Sequence, residues 1–444
     1  MASTKLQRTF SAEGDNIYKW TYSFWVKRGT LGGDQAMAAA YYSATYEARI
    51  YFRGTNQLEV YDYWNGSYTL QKKTNRLFRD TSAWYHIVVS NDNTQASADD
   101  RTKIYVNGVQ ETSFAINTQF PQNQRNSFNN DYTKYFGSYG SGDYLDGSMS
   151  HIHFIDGIAY APTEFGETDS TTGEWKIKTN VSVTYGTNGF FILKDGNSVT
   201  DQSGNSNNFT VGGGTLTKTE DNPSNVFATL NPLDNYYTNA TFSNGNTACT
   251  TQVAAYSAVM SNLGMSEGKY YCEIKVTDIG DGYTRLGIKG RSPTSNTDGL
   301  GGTRNSFAYE ASAGNKLDDV GNDVAYGDSY GANDIIGIAI DLDNNYIYFS
   351  KNGTWQNSGV PTSGSSGTGA AYAITTPESG YWFFSGSDAS NSANSENSYQ
   401  FNFGNGYFGT TAVSSAGTNA SGIGIFEYDV PTGFTALSTK GLNL

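Results

Sequence analysis

Proline and cysteine are scarce in this chain of 444 residues, which has eight prolines and two cysteines. Two thiols cannot staple a chain of this length, so a packed core must hold it together. Cys272 alternates with Tyr270, Ile274 and Val276, so it is expected as a buried thiol rather than a disulfide partner of Cys249. Histidine is scarcer still, at three residues. No segment sustains the i, i+3, i+4 apolar pattern of a packed helix. No run approaches the ~20 apolar residues of a membrane span, so no membrane insertion is expected. The opening MASTKLQRTFSAEGDNIYKW has no apolar stretch of signal-peptide type, so secretory export is not expected. Basic residues are few: 28 Lys and Arg stand against 42 Asp and Glu, a net charge of -14. Such a surface repels phosphate backbones and argues against a nucleic-acid partner. The first hundred residues are nearly balanced, so the acidic excess falls on the rest.

What the chain has instead is 51 Gly, 33 Tyr and 24 Phe. Aromatic and β-branched residues favour pleated, half-buried surfaces, and Gly with Asn and Ser supplies turns. The expectation is all-β. The clearest unit is Asn333 to Trp355. There Ile336, Ile338, Ile340 and Leu342 alternate with Gly337, Ala339, Asp341 and Asp343, and Asn344-Asn345 offers a hairpin turn. Similar turns are expected at Asn65-Gly66, Asn107-Gly108 and Asn352-Gly353. Strands are expected over 17–28, 49–53, 57–63, 68–71, 84–90, 103–106, 134–138 and 147–154, with short ones at 189–193 and 208–211. A chain this long calls for two domains. We read a first sandwich over 1–165, a polar connector with short strands over 166–232, and a second sandwich with a tail over 233–444.

The successive phrases FWVK, WYHIVVS, KIYVNG and YLDGSMSHIHFIDGIAY resemble the laminin-G-like, concanavalin A-like jelly roll. They are similar to the version found at the start of many phage virion proteins. SEGKYYCEI, IIGIAIDLDNNYIYFSKNG and FNFGNGYF together resemble the SPRY domain, itself a β-sandwich. The resemblance implies two tandem antiparallel sandwiches in a structural or adhesion protein of the virion surface, a tail-fibre component or a head-decorating spike. Its implied partners are other virion proteins and host-surface glycans. Homo-oligomers are expected of such components. The insertion near 363–373 and the polar run 387–398 lengthen loops that often hold the binding surface.

Candidate chemistry is sparse. Tyr61, Tyr63, Trp64 and Tyr68 cluster around one turn, and with Trp355 and Tyr381 they are candidate ligand-binding aromatics. Cross-strand packing or a subunit interface is the competing reading, and Trp382 reads as core. Laminin-G-like domains often hold Ca²⁺ on loop oxygens, which makes Asp143, Asp146 and Asp156 candidate ligands; ordinary turn chemistry explains an Asp before Gly equally. No cofactor is required by anything in the sequence. His151 and His153 lie two apart and are expected to share a strand face that is solvated or at an interface. A metal site there has no third ligand near in sequence, and His86 is a spatial possibility only. A concanavalin-type glucanase would carry Glu-x-Asp-x-x-Glu on a sheet strand. Glu167 and Asp169 begin that pattern, but Thr172 occupies the third position and Glu174 falls late. The chain is therefore expected not to be an enzyme. A polysaccharide depolymerase and a protein-interaction adaptor are the alternatives.

Overall fold

The computed structural model describes residues 3–194, 196, 198–234, 240–252, 256–292, 294, 299–302, 305–390, 392 and 396–443. Its regular elements are strands, with a few short 3₁₀ turns among the described residues. It divides into two compact units, 1–218 with 222–224 and 219–221 with 225–444. Residues 166–218 thus lie within the first unit.

The first unit is built from β1 (Lys5–Thr9), β2 (Lys19–Arg28), β3 (Gln35–Ser43), β4 (Tyr46–Phe52), β5 (Gln57–Trp64), β6 (Ser67–Leu77), β7 (Trp84–Asp92) and β8 (Thr102–Val106). Then come β9 (Val109–Gln110), β10 (Phe114–Thr118), β11 (Thr133–Phe136), β12 (Gly147–Asp156), β13 (Gly166–Thr168), β14 (Trp175–Ile177), β15 (Phe190–Ile192) and β16 (Thr210–Gly213). An eight-stranded sheet runs β10-β6-β5-β4-β3-β11-β1-β16, and a six-stranded sheet runs β15-β12-β2-β7-β8-β9. Their facing side chains, among them Ile50, Val60, Phe24, Ile87 and Phe154, make one fully buried core, as two packed sheets require. The expected turns close the hairpins. Asn65-Gly66 and Asn107-Gly108 hold positive φ at both residues, the geometry that matches strand twist.

The second unit contains β17 (Thr241–Ser243), β18 (Ala248–Thr250), β19 (Ser257–Met260), β20 (Lys269–Asp278), β21 (Thr284–Lys289), β22 (Ser306–Glu310), β23 (Asn315–Leu317), β24 (Asp323–Ala325) and β25 (Ile335–Asp341). It continues with β26 (Tyr346–Lys351), β27 (Thr354–Trp355), β28 (Tyr372–Ala373), β29 (Phe383–Asp388), β30 (Ser398–Asn402), β31 (Tyr407–Phe408), β32 (Thr411–Ala412) and β33 (Thr435–Ala436). One sheet is centred on β30-β20-β25-β26, and the other runs β19-β29-β21-β22-β23-β24. The hairpin expected at 333–355 forms with Ile338 opposite Phe349 and Ile340 opposite Ile347. Trp382 is 2% exposed in the core of this unit, as its sequence position suggested. Cys249 and Cys272 are both free and buried.

Both units cover one outer sheet face with their own chain. In the first unit, residues 158–185 lie over the six-stranded sheet, where Ile158, Tyr160, Phe165, Val181, Val183 and Tyr185 pack on Val88 and Ile155. The Trp175 ring enters a slot formed by Gly108 and Gly166, where an added Cβ would meet it at 2.5 Å on either side. In the second unit, Phe426, Val430 and Phe434 of the tail pack on Tyr271, Ala339 and Tyr348.

Candidate functional site

In the first unit the eight-stranded sheet has a polar and aromatic outer face, on which Tyr139 and Asp143 of the same chain rest, and the side chains there follow from strand alternation. Along β4, Ala48, Ile50 and Phe52 point to the core, which leaves Glu47, Arg49 and Tyr51 outward. Along β5, Leu58 and Val60 point inward, which leaves Glu59, Tyr61 and Tyr63 outward. The register sets Arg49 against Tyr61 and Tyr51 against Glu59.

Arg49 organises this face. Its guanidinium lies 3.2 Å from the Tyr139 ring centroid and 5.6 Å from that of Tyr61. It pairs with Asp143 at 2.6 Å and with Glu47 at 3.5 Å. The Tyr61 hydroxyl donates to Glu47 Oε1 at 2.6 Å, and the Tyr139 hydroxyl donates to Glu47 Oε2. Burial, with Glu47 as acceptor, raises the Tyr61 phenol well above its ordinary range. Beside this group Gln71 donates to Glu59 at 2.8 Å, and Arg53 bridges Asp34 at 3.2 Å and Glu59 at 3.6 Å. Each arginine thus meets two carboxylates, so the face carries an excess of negative charge. Tyr68 covers the set edge-on, 5.5 Å from Tyr61 and 4.9 Å from Tyr63, and stays 51% exposed.

The aromatic cluster read from the sequence therefore splits. Tyr61, Tyr63 and Tyr68 share this face. Trp64 does not, because one step along β5 sends it to the other side, where it contacts Tyr46 and Tyr132. Arg49, Glu47 and Tyr139 were missed. Tyr139 lies 92 residues from Glu47, and nothing local announces that contact. Trp355 and Tyr381 belong to the second unit. Trp355 packs on Tyr271 under the tail at 6.3 Å, while Tyr381 stays 50% exposed without a ring contact to Trp355. Of the expected binding loop at 387–398, Asn391 and 393–395 lie outside the described residues.

The three aspartates proposed for Ca²⁺ do not converge. Gly147 pairs with Arg28 and Asp156 with Trp20, so Asp146 and Asp156 flank opposite ends of a ten-residue strand, on the order of 30 Å apart. Asp143 is ion-paired with Arg49. Asp146 lies against Gly29, and burial raises its carboxyl pKa. Asp156 is 1% exposed; it accepts the Asp15 and Asn188 backbone N–H groups at 2.8 and 3.0 Å and the Asn129 amide at 2.7 Å. These bonds tie three loops together, which is a structural task. Among the described residues no group of three His, Cys, Asp or Glu is placed to hold a metal.

The histidine expectation also changes. A bulge interrupts β12 between Ser150 and His153, and His151 takes φ of 48°, so simple alternation fails. His153 is 2% exposed beneath residues 158–185, stacked on Phe191 at 3.9 Å. His86 lies between the Trp25 and Trp175 rings, receives the Trp175 indole N–H on Nδ1 at 2.9 Å and meets Ser23 Oγ through Nε2 at 2.9 Å. Burial, then the neighbouring His151, pull its pKa down to about 3. This face is covered, not solvated. Glu167 and Asp169 fall at the exposed β13–β14 hairpin, where Asp169 accepts the Thr171 and Thr172 N–H groups and pairs with Lys176. Glu167 is thus on a short strand of a surface hairpin, where it and Asp169 share Lys176 as a partner.

Residues 7–164 match the concanavalin A-like lectin/glucanases superfamily, as a laminin G domain of that superfamily, and residues 269–405 match the SPRY domain. Each unit thus carries a known sandwich domain. Among solved structures the chain is similar to the SPRY domain of human HERC1, at 17% identity over 36% of this chain and 91% of that one, with a TM-score of 0.29. It is also similar to a heptameric SAP-like pentraxin from Limulus polyphemus, at 13% identity over 36% of this chain and 72% of that one, with a TM-score of 0.27. No curated protein matches the sequence. The two domain families suggest a binding or protein-interaction role.

Proposed function

We propose that the protein is a non-enzymatic structural and adhesion component of a phage virion surface, in a tail fibre or a head-decorating spike. Its first unit would grip host-surface glycans through the outer face of the eight-stranded sheet, and both units would contact neighbouring virion proteins, as homo-oligomers. The virion assignment rests on the resemblance of phrases in the first unit to phage virion proteins. The observation that carries the binding reading is the contrast between faces. The sheet opposite this one is covered by an apolar segment of its own chain, whereas here Tyr63 and the half-exposed Tyr68 stand over a polar, carboxylate-rich floor. Aromatic rings above fixed carboxylate acceptors suit the apolar faces and hydroxyls of a sugar without negative charge. Glu47 and Glu59 each already accept hydrogen bonds from protein donors, which suits anchoring better than proton transfer.

Immunolabelled electron microscopy of particles from the native source tests the assignment, and absence of label overturns it. For the site, Tyr68→Ala should weaken binding to host-envelope polysaccharide about five-fold, the worth of one aromatic contact near 1 kcal/mol. Unchanged binding would remove this face from the reading.

A further inference from the structure

The three histidines of the chain, His86, His151 and His153, gather on the outer side of the six-stranded sheet. β2 runs between the strands that carry them. His86 of β7 is opposite Trp25, and His153 of β12 is opposite Ser23. His86 and His153 are at most 2% exposed, and the covering residues 158–185 rest on their rings. Phe165 and Tyr185 lie 5.1 and 6.1 Å from His153, and Trp175 meets His86.

The Trp175 contact fixes the protonation state of His86. An indole N–H only donates. The Trp175 nitrogen lies 2.9 Å from His86 Nδ1, so Nδ1 is the acceptor and carries no proton. The ring is neutral, and its one proton sits on Nε2, 2.9 Å from Ser23 Oγ. A second proton has only Nδ1 to go to. There it would point at the indole N–H, donor against donor, and the Trp175 bond would break. Burial, then His151, already oppose that charge and hold the pKa down to about 3. His153 is held down in the same way, by burial and then by His151 and His86.

The charges that act on these two rings are thus those of other histidines. Lys27, two residues beyond Trp25 on β2, adds a cation to the same face. On the cover, Glu167 and Asp169 pair with Lys176, and Lys178 donates to the Thr163 carbonyl. Behind Phe191, Asp201 accepts the Phe191 and Asn207 N–H groups. Nearer the sheet edge, Lys19 pairs with Asp92 and Lys103 with Asp100. The Tyr185 phenol, 2.8 Å from His153 Nδ1, stays neutral because burial raises it further. We propose that this layer is an acid-operated latch, in which a proton taken up by His86 at Nδ1 displaces the Trp175 indole and residues 158–185 lift off the sheet. Acid then bares Trp25, Val88 and Ile155, which are buried while the cover is closed. A base whose pKa is lower when covered favours the covered form above its free value of 6.5, and that preference is lost as pH falls toward 3.

Hydrogen exchange of the full chain tests the latch, read over 165–178 and corrected for the intrinsic effect of pH. Opening should be at least about 25-fold more frequent at pH 5 than at pH 7, the share of His86 alone. Residues 48–60 of the other sheet should stay protected. His86→Asn keeps an acceptor near the Nδ1 position but takes up no proton in this range, so its ratio between the two pH values should fall about 25-fold below that of wild type. Isotope-labelled histidine gives a second readout that needs no variant: NMR of wild type at pH 7 should find His86 protonated on Nε2 alone. Equal opening at both pH values, a His86→Asn ratio equal to that of wild type, or a proton on His86 Nδ1 at pH 7 would each overturn the proposal. Equal loss of protection over 48–60 would do so too, because the whole unit would then be unfolding.

Discussion

Glu273 offers a quantitative test of how the second unit holds its tail. It is fully buried on the outer side of β20. Its carboxylate accepts the Glu427 and Tyr428 backbone N–H groups at 2.8 Å each, the Tyr271 hydroxyl at 3.1 Å and the Asn402 amide at 3.3 Å. Burial outweighs these donors and raises the pKa from 4.5 to about 7. A raised folded pKa means that the folded state keeps a proton the unfolded chain has released. The contribution to stability is therefore full below pH 4.5 and is lost as pH rises through 7. That gap corresponds to about 3 kcal/mol. Glu273→Gln imitates the protonated acid but turns an NH₂ toward one of the two backbone donors, at a cost of ~1–3 kcal/mol. The variant should thus be weaker than wild type at pH 5 and stronger at pH 8, with the curves crossing between. Hydrogen exchange over 335–341, in the centre of the same sheet, reads the second unit within the full chain. A variant weaker by the same amount at both pH values would refute the reasoning. It would show the carboxylate ionised throughout, with four donors outweighing desolvation.

Two further outcomes are expected. Trp175→Ala empties the slot between Gly108 and Gly166 and should cost about 2–3 kcal/mol, below the ~3–5 of a fully buried Trp; it should also open His86 to diethyl pyrocarbonate, and an unchanged modification rate would show that Trp175 does not hold the covering segment down. Because Asp143, Asp146 and Asp156 are engaged separately, Ca²⁺ should leave the melting temperature within about 1 °C of its value in chelator, where a tightly held ion would raise it by several degrees; such a rise would show that one of the loops rearranges to bind the ion.

Much of the fold was legible because alternation and turn chemistry agree, as at Asn107-Gly108 and in the 333–355 hairpin. What was missed has physical reasons. The strand Gln35–Ser43 is rich in alanine, a weak strand former, and it exists because β4 and β11 pair on both sides of it. Trp64 was grouped with Tyr63 because the two are adjacent, although a period of two places neighbours on opposite faces. Arg49 was invisible as a centre because Asp143 and Tyr139 reach it from a distant loop.

One signal in the sequence went further than its first reading. A strand with one open face alternates, whereas a strand covered on both faces reads as a continuous apolar run. WYHIVVS in β7 and IIGIAI in β25 are such runs, and every residue in them is buried. Each lies in a sheet whose outer side is covered by its own chain, by residues 158–185 in one unit and by the tail in the other. YEARIYF in β4 instead alternates Ala48, Ile50 and Phe52 with Glu47, Arg49 and Tyr51. That row is matched by polar partners rather than an apolar cover, as Tyr139 and Asp143 reach Glu47 and Arg49 from the loop after β11. The same pattern that builds the sandwich thus marks which sheet face takes an apolar cover and which takes a polar one.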